Sequence, residues 1–219
     1  MSYTQATVLY ADIVNFSRQC VHRDLKDISV WMTRIHTTID YLLIKYAICK
    51  VETRGDCCVC VSGTNFMSGP DSVSRDLAYN QATRMIHFGT ELAWALYEMD
   101  RTEVRIGMAT GSIVLTHISH VSDALPARFI YGETVDFASR MEQTGSAGAI
   151  QLSECANKQY AEEQHIPSAP LQVKEIPGKG VVQSAMYDCF TGRFLVPGCD
   201  FDASSVSDLS RISSESEKD

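Results

Sequence analysis

Residues 6–16, Ala-Thr-Val-Leu-Tyr-Ala-Asp-Ile-Val-Asn-Phe, form a nearly continuous apolar run, rich in β-branched side chains and broken by one carboxylate, Asp12. Such a run reads as a strand covered on both faces, which commits the chain to a sheet with layers packed above and below it. It also sets a chemical problem. A carboxylate inside that strand is expensive to bury ionised unless it is paired or holds a cation.

The rest of the chain supplies the layers. Leu25, Ile28, Met32, Ile35, Ile39, Leu42 and Tyr46 recur at three- and four-residue spacing, which predicts an amphipathic helix from Asp24 to Ala47. Cys49–Thr53 and Cys57–Ser62 flank Arg54-Gly55 and read as a tight hairpin. Pro70-Asp71 is expected to open a second long helix reaching about Leu96, with Val73, Leu77, Met85, Leu92 and Leu96 inward. Residues 103–109 and 112–118 read as another hairpin, turning near Thr110-Gly111. A strand at Arg128–Tyr131, a helix at Glu133–Gln143, a strand at Ala149–Leu152, a helix at Ser153–Glu163 and a last strand at Val181–Cys189 follow. This order predicts an α+β protein with a ferredoxin-like β-α-β-β-α-β core and extra strands and helices. Residues 1–196 read as one domain, and 197–219 as a serine-rich acidic tail with too few apolar residues to order itself.

Charge narrows the partners. With 19 Lys+Arg against 27 Asp+Glu the chain carries −8, which argues against a nucleic-acid surface or an anionic membrane as its main partner. Lys45 interrupts the longest apolar candidate, Tyr41–Ile48, so no membrane span is expected. Met1-Ser2-Tyr3-Thr4-Gln5 has no basic n-region, and a cytoplasmic location is expected, alone or as the cytosolic part of a larger protein. In Cys57-Cys58-Val59-Cys60, alternation puts Cys58 and Cys60 on one face and Cys57 on the other. No second pair at zinc spacing accompanies them, and they read as buried small hydrophobes. His117 and His120 lack a third ligand at a recognisable spacing and read as ordinary polar residues.

Asp56 follows a tight turn and sits at the mouth of its hairpin. If that hairpin lies beside the first strand, Asp12 and Asp56 converge, and two carboxylates with open positions suit Mg²⁺ completed by water and substrate phosphates. The alternative is that Asp12 caps a turn and Asp56 is a polar corner.

Four segments bear on that choice: Asp12-Ile13-Val14-Asn15-Phe16-Ser17, Lys50-Val51-Glu52-Thr53-Arg54-Gly55-Asp56, Val61-Ser62-Gly63 and Tyr131-Gly132-Glu133-Thr134-Val135-Asp136-Phe137-Ala138-Ser139-Arg140-Met141-Glu142. Together they resemble the catalytic domain of class III nucleotidyl cyclases over roughly residues 6–190. The resemblance implies a dimer with its site at the subunit interface, turning a nucleoside triphosphate into a 3′,5′-cyclic monophosphate and pyrophosphate for intracellular signalling. It implies two Mg²⁺ or Mn²⁺ ions per site, held by Asp12, Asp56 and the backbone of Ile13. The turn Ile13, Val14, Asn15, Phe16 and Ser17 then offers amides to the β- and γ-phosphates. Glu52 falls on the base-reading position, where a carboxylate accepts from N1–H and the 2-amino group of guanine, favouring GTP over ATP. Arg140 falls on the arginine that stabilises charge at the α-phosphate.

Departures from the family pattern fall in one half of the site. The second base-reading position is Phe129, the ribose-orienting asparagine is Asp136, and the phosphate-binding lysine is Pro177, with Lys179 nearby as a further phosphate contact. The family arginine upstream of the base-reading strand falls on Ala127, one residue before Arg128. Leu115-Thr116 and Ser119 replace family glycines and an alanine. Three readings stay open: a homodimeric guanylate cyclase, the metal-bearing half of a heterodimer with another cyclase domain, and an inactive domain kept for dimerisation or nucleotide binding.

Overall fold

Alternation along the first strand divides the molecule. In β1 (Ser2–Ile13), Leu9, Ala11 and Ile13 join one buried cluster, while Ala6, Val8 and Tyr10 join another on the opposite face. The computed structural model describes residues 1–64, 79–118, 127–176, 178 and 180–196. After β1 come α1 (Phe16–Val21), α2 (Leu25–Lys45), β2 (Cys49–Arg54), β3 (Cys57–Ser62), α3 (Gln81–Asp100), β4 (Val104–Ile118), β5 (Ala127–Tyr131) and α4 (Glu133–Gln143). Then follow β6 (Ala149–Ser153), α5 (Glu154–Gln164), β7 (Gln172–Ile176), β8 (Gly180–Asp188) and β9 (Arg193–Phe194).

The strands make one sheet in the order β2-β3-β1-β4-β6-β8-β7, with β5 on β4 and β9 on β8. Its β2-β3-β1-β4 portion, with α2 and α3 as crossovers, is the expected ferredoxin-like core. Those two helices cover the first face through Trp31, Ile35, Ile39 and Leu42 of α2 and Met85, Phe88, Leu92 and Leu96 of α3. On the second face α4 contributes Ala138 and Met141 over Val59, Val61, Ala109 and Ile113. One short helix covers little of that face, and Val51, Glu52 and Cys57 toward the β2–β3 end are only partly buried. Cys58 and Cys60 belong to the first cluster and Cys57 packs against the second, as alternation requires.

Several elements differ from expectation. The hairpin expected over 103–118 is one unbroken strand, and Gly111 pairs with Ala6 in its middle. Glycine stands there because α4 comes close, not because the chain turns: a Cβ would lie 2.6 Å from Thr134 Oγ1. The helix expected from Pro70 begins instead at Gln81, since the Asn80 side chain accepts from Thr83 N at 2.9 Å and closes the first turn. Val73, Leu77 and the rest of 65–78 lie outside the described residues. The first strand stops at Ile13, because Asn15 adopts a left-handed conformation (φ 56°) and turns Phe16 into α1. Leu25 is exposed, while Trp31, outside the expected stripe, is buried with its ring stacked on Phe16 at 5.7 Å. α1, β7 and β9 are too short or too exposed to show a period. The expected tail, 197–219, lies outside the described residues.

Candidate active site

Asp12 continues the Val8–Tyr10 alternation and so emerges on the α4 face, at the end of β1. Asp56 sits just past Gly55, whose φ of +63° makes the β2–β3 turn tight. Antiparallel pairing of Ala11 with Cys58 lays that turn beside the end of β1 and brings the Asp56 carboxyl close enough to raise the Asp12 pKa. Burial, reinforced by the charges of Asp56 and Glu142 and opposed by Arg105, raises the Asp12 pKa to about 6. Burial also raises Asp56. The pair is therefore short of positive charge.

Arg105 is the cross-strand partner of Asp12 on β4, and it supplies part of that charge. Its Nη2 lies 3.2 Å from Asp12 Oδ2 and 2.8 Å from Glu142 Oε1, and its Nε donates to the same Glu142 oxygen at 3.0 Å. Glu142 is buried, on the last turn of α4. The helix reaches the sheet here because Gly107 has no side chain: a Cβ would stand 2.0 Å from Glu142 N. Sequence reasoning missed both residues. The available signal was the alternation Arg105, Gly107, Ala109 within the expected strand 103–109, but only its register on β1 sets Arg105 opposite Asp12.

The turn between β1 and α1 is held from both sides. Ile13 is buried, so only its backbone could reach a cation. Val14 N donates to Glu103 O at 2.9 Å and Val14 O accepts from Gln19 Nε2 at 2.9 Å, so the Val14 amide is already engaged. The amides of Phe16 and Ser17 open α1, where no intrahelical acceptor serves them.

The other predicted residues gather further along the α4 face. Glu52 pairs with Val59 and Arg54 with Cys57, and the Arg54 Nη2 lies 2.8 Å from Glu52 Oε1. On α4, Asp136 and Arg140 form an ion pair at 3.4 Å. Arg140 also lies against the β7–β8 turn, where a Cβ on Gly178 would be 3.6 Å from its Nη2. Tyr10 stands in the field of both pairs. Its pKa is pushed up to about 12, chiefly by burial, with Arg54 opposing and Glu52, Cys57 and Asp136 reinforcing.

β5 departs from this grouping. Arg128 turns toward β2, donating from Nη1 to Lys50 O at 3.3 Å, and Ile130 packs against the second cluster. Alternation turns Phe129 the other way, where its half-exposed ring stacks with Tyr131 at 6.4 Å between centroids. Pro177, Lys179, Ser119 and His120 lie outside the described residues, as does the His117 side chain.

Among the described residues no three His, Cys, Asp or Glu side chains form a metal cage. A two-carboxylate donor set, of raised pKa and oxygen only, fits a hard divalent cation that takes its other ligands from phosphate and water. Among the described residues no helix is long and apolar enough to cross a membrane.

A ferredoxin-like core, with paired carboxyls ending its central strand and a separate Glu/Arg face beside them, defines the class III nucleotidyl cyclase type of domain. Residues 1–187 match the adenylate and guanylate cyclase catalytic domain, and the chain belongs to that family. It is 30% identical over 153 residues to the receptor-type guanylate cyclase Gyc76C of Drosophila melanogaster, a match covering 70% of this chain and only 10% of that much longer protein. Among solved structures it resembles the guanylate cyclase domain of RhGC from Catenaria anguillulae in complex with GTP, with TM-score 0.67, 25% identity and coverage of 85% of this chain and 97% of that one. The adenylyl cyclase CyaB from P. aeruginosa shares the fold at TM-score 0.67 and 18% identity, over 92% of this chain and 100% of that one.

Proposed function

We propose that this chain is a guanylate-preferring cyclase domain, converting GTP to 3′,5′-cyclic GMP and pyrophosphate as one half of a dimer. The observation that carries the reading is the convergence of Asp12 and Asp56 at the end of β1. Mg²⁺ or Mn²⁺ held there would lower the cost of negative charge on the triphosphate and activate the 3′-hydroxyl for in-line attack at the α-phosphorus. Asp12 takes part as its carboxylate, and Arg105 keeps that carboxylate in place. Amides of Phe16 and Ser17 donate to phosphate oxygens. Glu52 accepts from the guanine edge, and Arg140 meets charge developing at the α-phosphate. Glu52 and Arg140 serve the nucleotide whose cations the facing domain holds, which is why a dimer is required. The GTP complex of the RhGC domain supports the substrate class. A triphosphate substrate and free thiols at all seven cysteines among the described residues agree with a cytoplasmic site of action.

The Asp136–Arg140 ion pair favours one second reading, in which this chain supplies the metal half of a heterodimer. One assay tests both. Purified chain is given GTP or ATP with Mn²⁺, alone and mixed with a second cyclase domain, and cyclic product is followed. Cyclic GMP from the chain alone is expected; product only in the mixture selects the heterodimer, and none in either removes the enzymatic reading.

A further inference from the structure

We propose that Arg54 is a specificity-determining residue, holding Glu52 in the orientation that reads guanine and balancing the negative charge gathered around it; the role rests on the guanine reading of Glu52. Two residues apart on β2, the side chains share a side of the strand, and Arg54 Nη2 meets Glu52 Oε1 at 2.8 Å. Arg54 is the outer member, 68% exposed against 31% for Glu52. It is therefore the more solvent-facing of the two, and it covers part of the carboxylate. A carboxylate offers about four lone-pair positions, so one bond to Arg54 leaves sites on both oxygens for guanine N1–H and the 2-amino group. What the bond removes is side-chain freedom. A glutamate already held loses less on binding, and only a base with two donors gains from its placement.

Charge supplies the second argument. Glu52, Asp136 and an incoming triphosphate are all negative, in a protein whose net charge is −8. Arg140 is drawn to Asp136, and Pro177 occupies the sequence position where the family places a lysine. Arg54 is the cation bonded to Glu52 itself, and its own pKa is raised mainly by that hydrogen bond. Without it, Glu52 would face the purine as an unbalanced charge.

The test reads binding and needs no turnover. A ribose-labelled fluorescent GTP is bound to the full chain with Mn²⁺ and displaced by GTP or by ATP, for the parent, Arg54→Ala, Arg54→Lys and Glu52→Gln. Arg54→Ala is expected to weaken GTP about tenfold, because Glu52 must then be ordered on binding, and to leave ATP within about twofold. Arg54→Lys keeps the charge without the fork and restores part of the ratio. Because the Arg54 side chain is exposed, melting temperatures should match the parent. A GTP/ATP ratio unmoved or increased in Arg54→Ala, while Glu52→Gln lowers it, overturns the role of Arg54 alone. A ratio unmoved by Glu52→Gln, or a parent that binds no label, overturns the guanine reading and Arg54 with it.

Discussion

The two halves of the site are assembled by different means. Asp12, Asp56, Arg105 and Glu142 come from β1, the β2–β3 turn, β4 and α4, and they meet because backbone register brings distant segments together. Glu52 with Arg54, and Asp136 with Arg140, are acids bridged to arginines two and four residues away, on a partly open face. The first half is fixed by the core. The second keeps its geometry through local ion pairs, each worth little in water, and gains strength only where a facing surface excludes solvent.

The sharpest way to break this contrast is to remove a carboxylate from the core-built half. Asp12→Ala or Asp56→Ala is expected to lower the cyclisation rate at least about a hundredfold. Each should leave the metal-free fold intact or more stable, because both carboxyls have their pKa raised chiefly by burial, which disfavours the charged form. Initial rates and thermal melts of the same preparations decide it, and a variant that cyclises at the parental rate would end the metal assignment.

Gly107→Ala attacks the same half through its support. The added methyl group meets the α4 backbone at 2.0 Å, where no flexible side chain can yield, and about 3 kcal/mol of stability should be lost in urea titrations. Gly55→Ala has open space around it and only a left-handed φ to strain, so it should cost about 1 kcal/mol. Equal costs would mean that close packing of α4 does not hold the Arg105–Glu142 bridge in place.

The same contrast explains what could be read from sequence. Asp12 was legible because a charge in an apolar strand has few explanations, and Asp56 because a glycine turn fixes its place. Arg105 was not, since only the register of β4 on β1 sets it opposite Asp12; Gly111, which looked like a turn, instead serves the approach of Thr134 across 23 residues of chain. Glu142 ends the Tyr131–Glu142 segment, yet its burial depends on Gly107, which no local pattern reveals. The side to which Phe129 points follows from pairing of β5 with β4, and register of that kind is set by tertiary contacts rather than by composition.

Proton linkage separates the halves more gently. The folded pKa of Asp12, about 6, lies above its ordinary 3.8, so between those values the native chain binds more protons than the unfolded one. Stability contributed by this group therefore falls as pH rises through that window, and the penalty is complete above it. Metal-free protein should lose melting temperature between pH 4 and 6.5 on this account, Asp12→Asn should flatten the loss, and Mn²⁺ should stabilise more at pH 7 than at pH 5. Equal Mn²⁺ shifts at the two pH values would show that Asp12 does not exchange its proton for the cation.

The smallest effect, and the one that sharpens the comparison most, concerns Asp136 and Arg140. At i and i+4 on α4, partly exposed, the pair is worth only about 0.3–0.5 kcal/mol. Its consequence for the reaction is larger than its energy, because it points the arginine at its own helix. A carboxylate there also repels phosphate and cannot donate to a ribose oxygen as an amide can. Asp136→Asn should therefore raise the cyclisation rate a few-fold, Arg140→Ala should lower it, and the double variant should lie above Arg140→Ala but gain less from Asp136→Asn than the parent does, since only part of that gain acts through the arginine it releases. Initial rates at saturating Mn²⁺ for the four proteins complete the cycle. If Asp136→Asn leaves the rate unchanged, the ion pair is not what restrains this half, and restoration by a second cyclase domain becomes the measurement that matters.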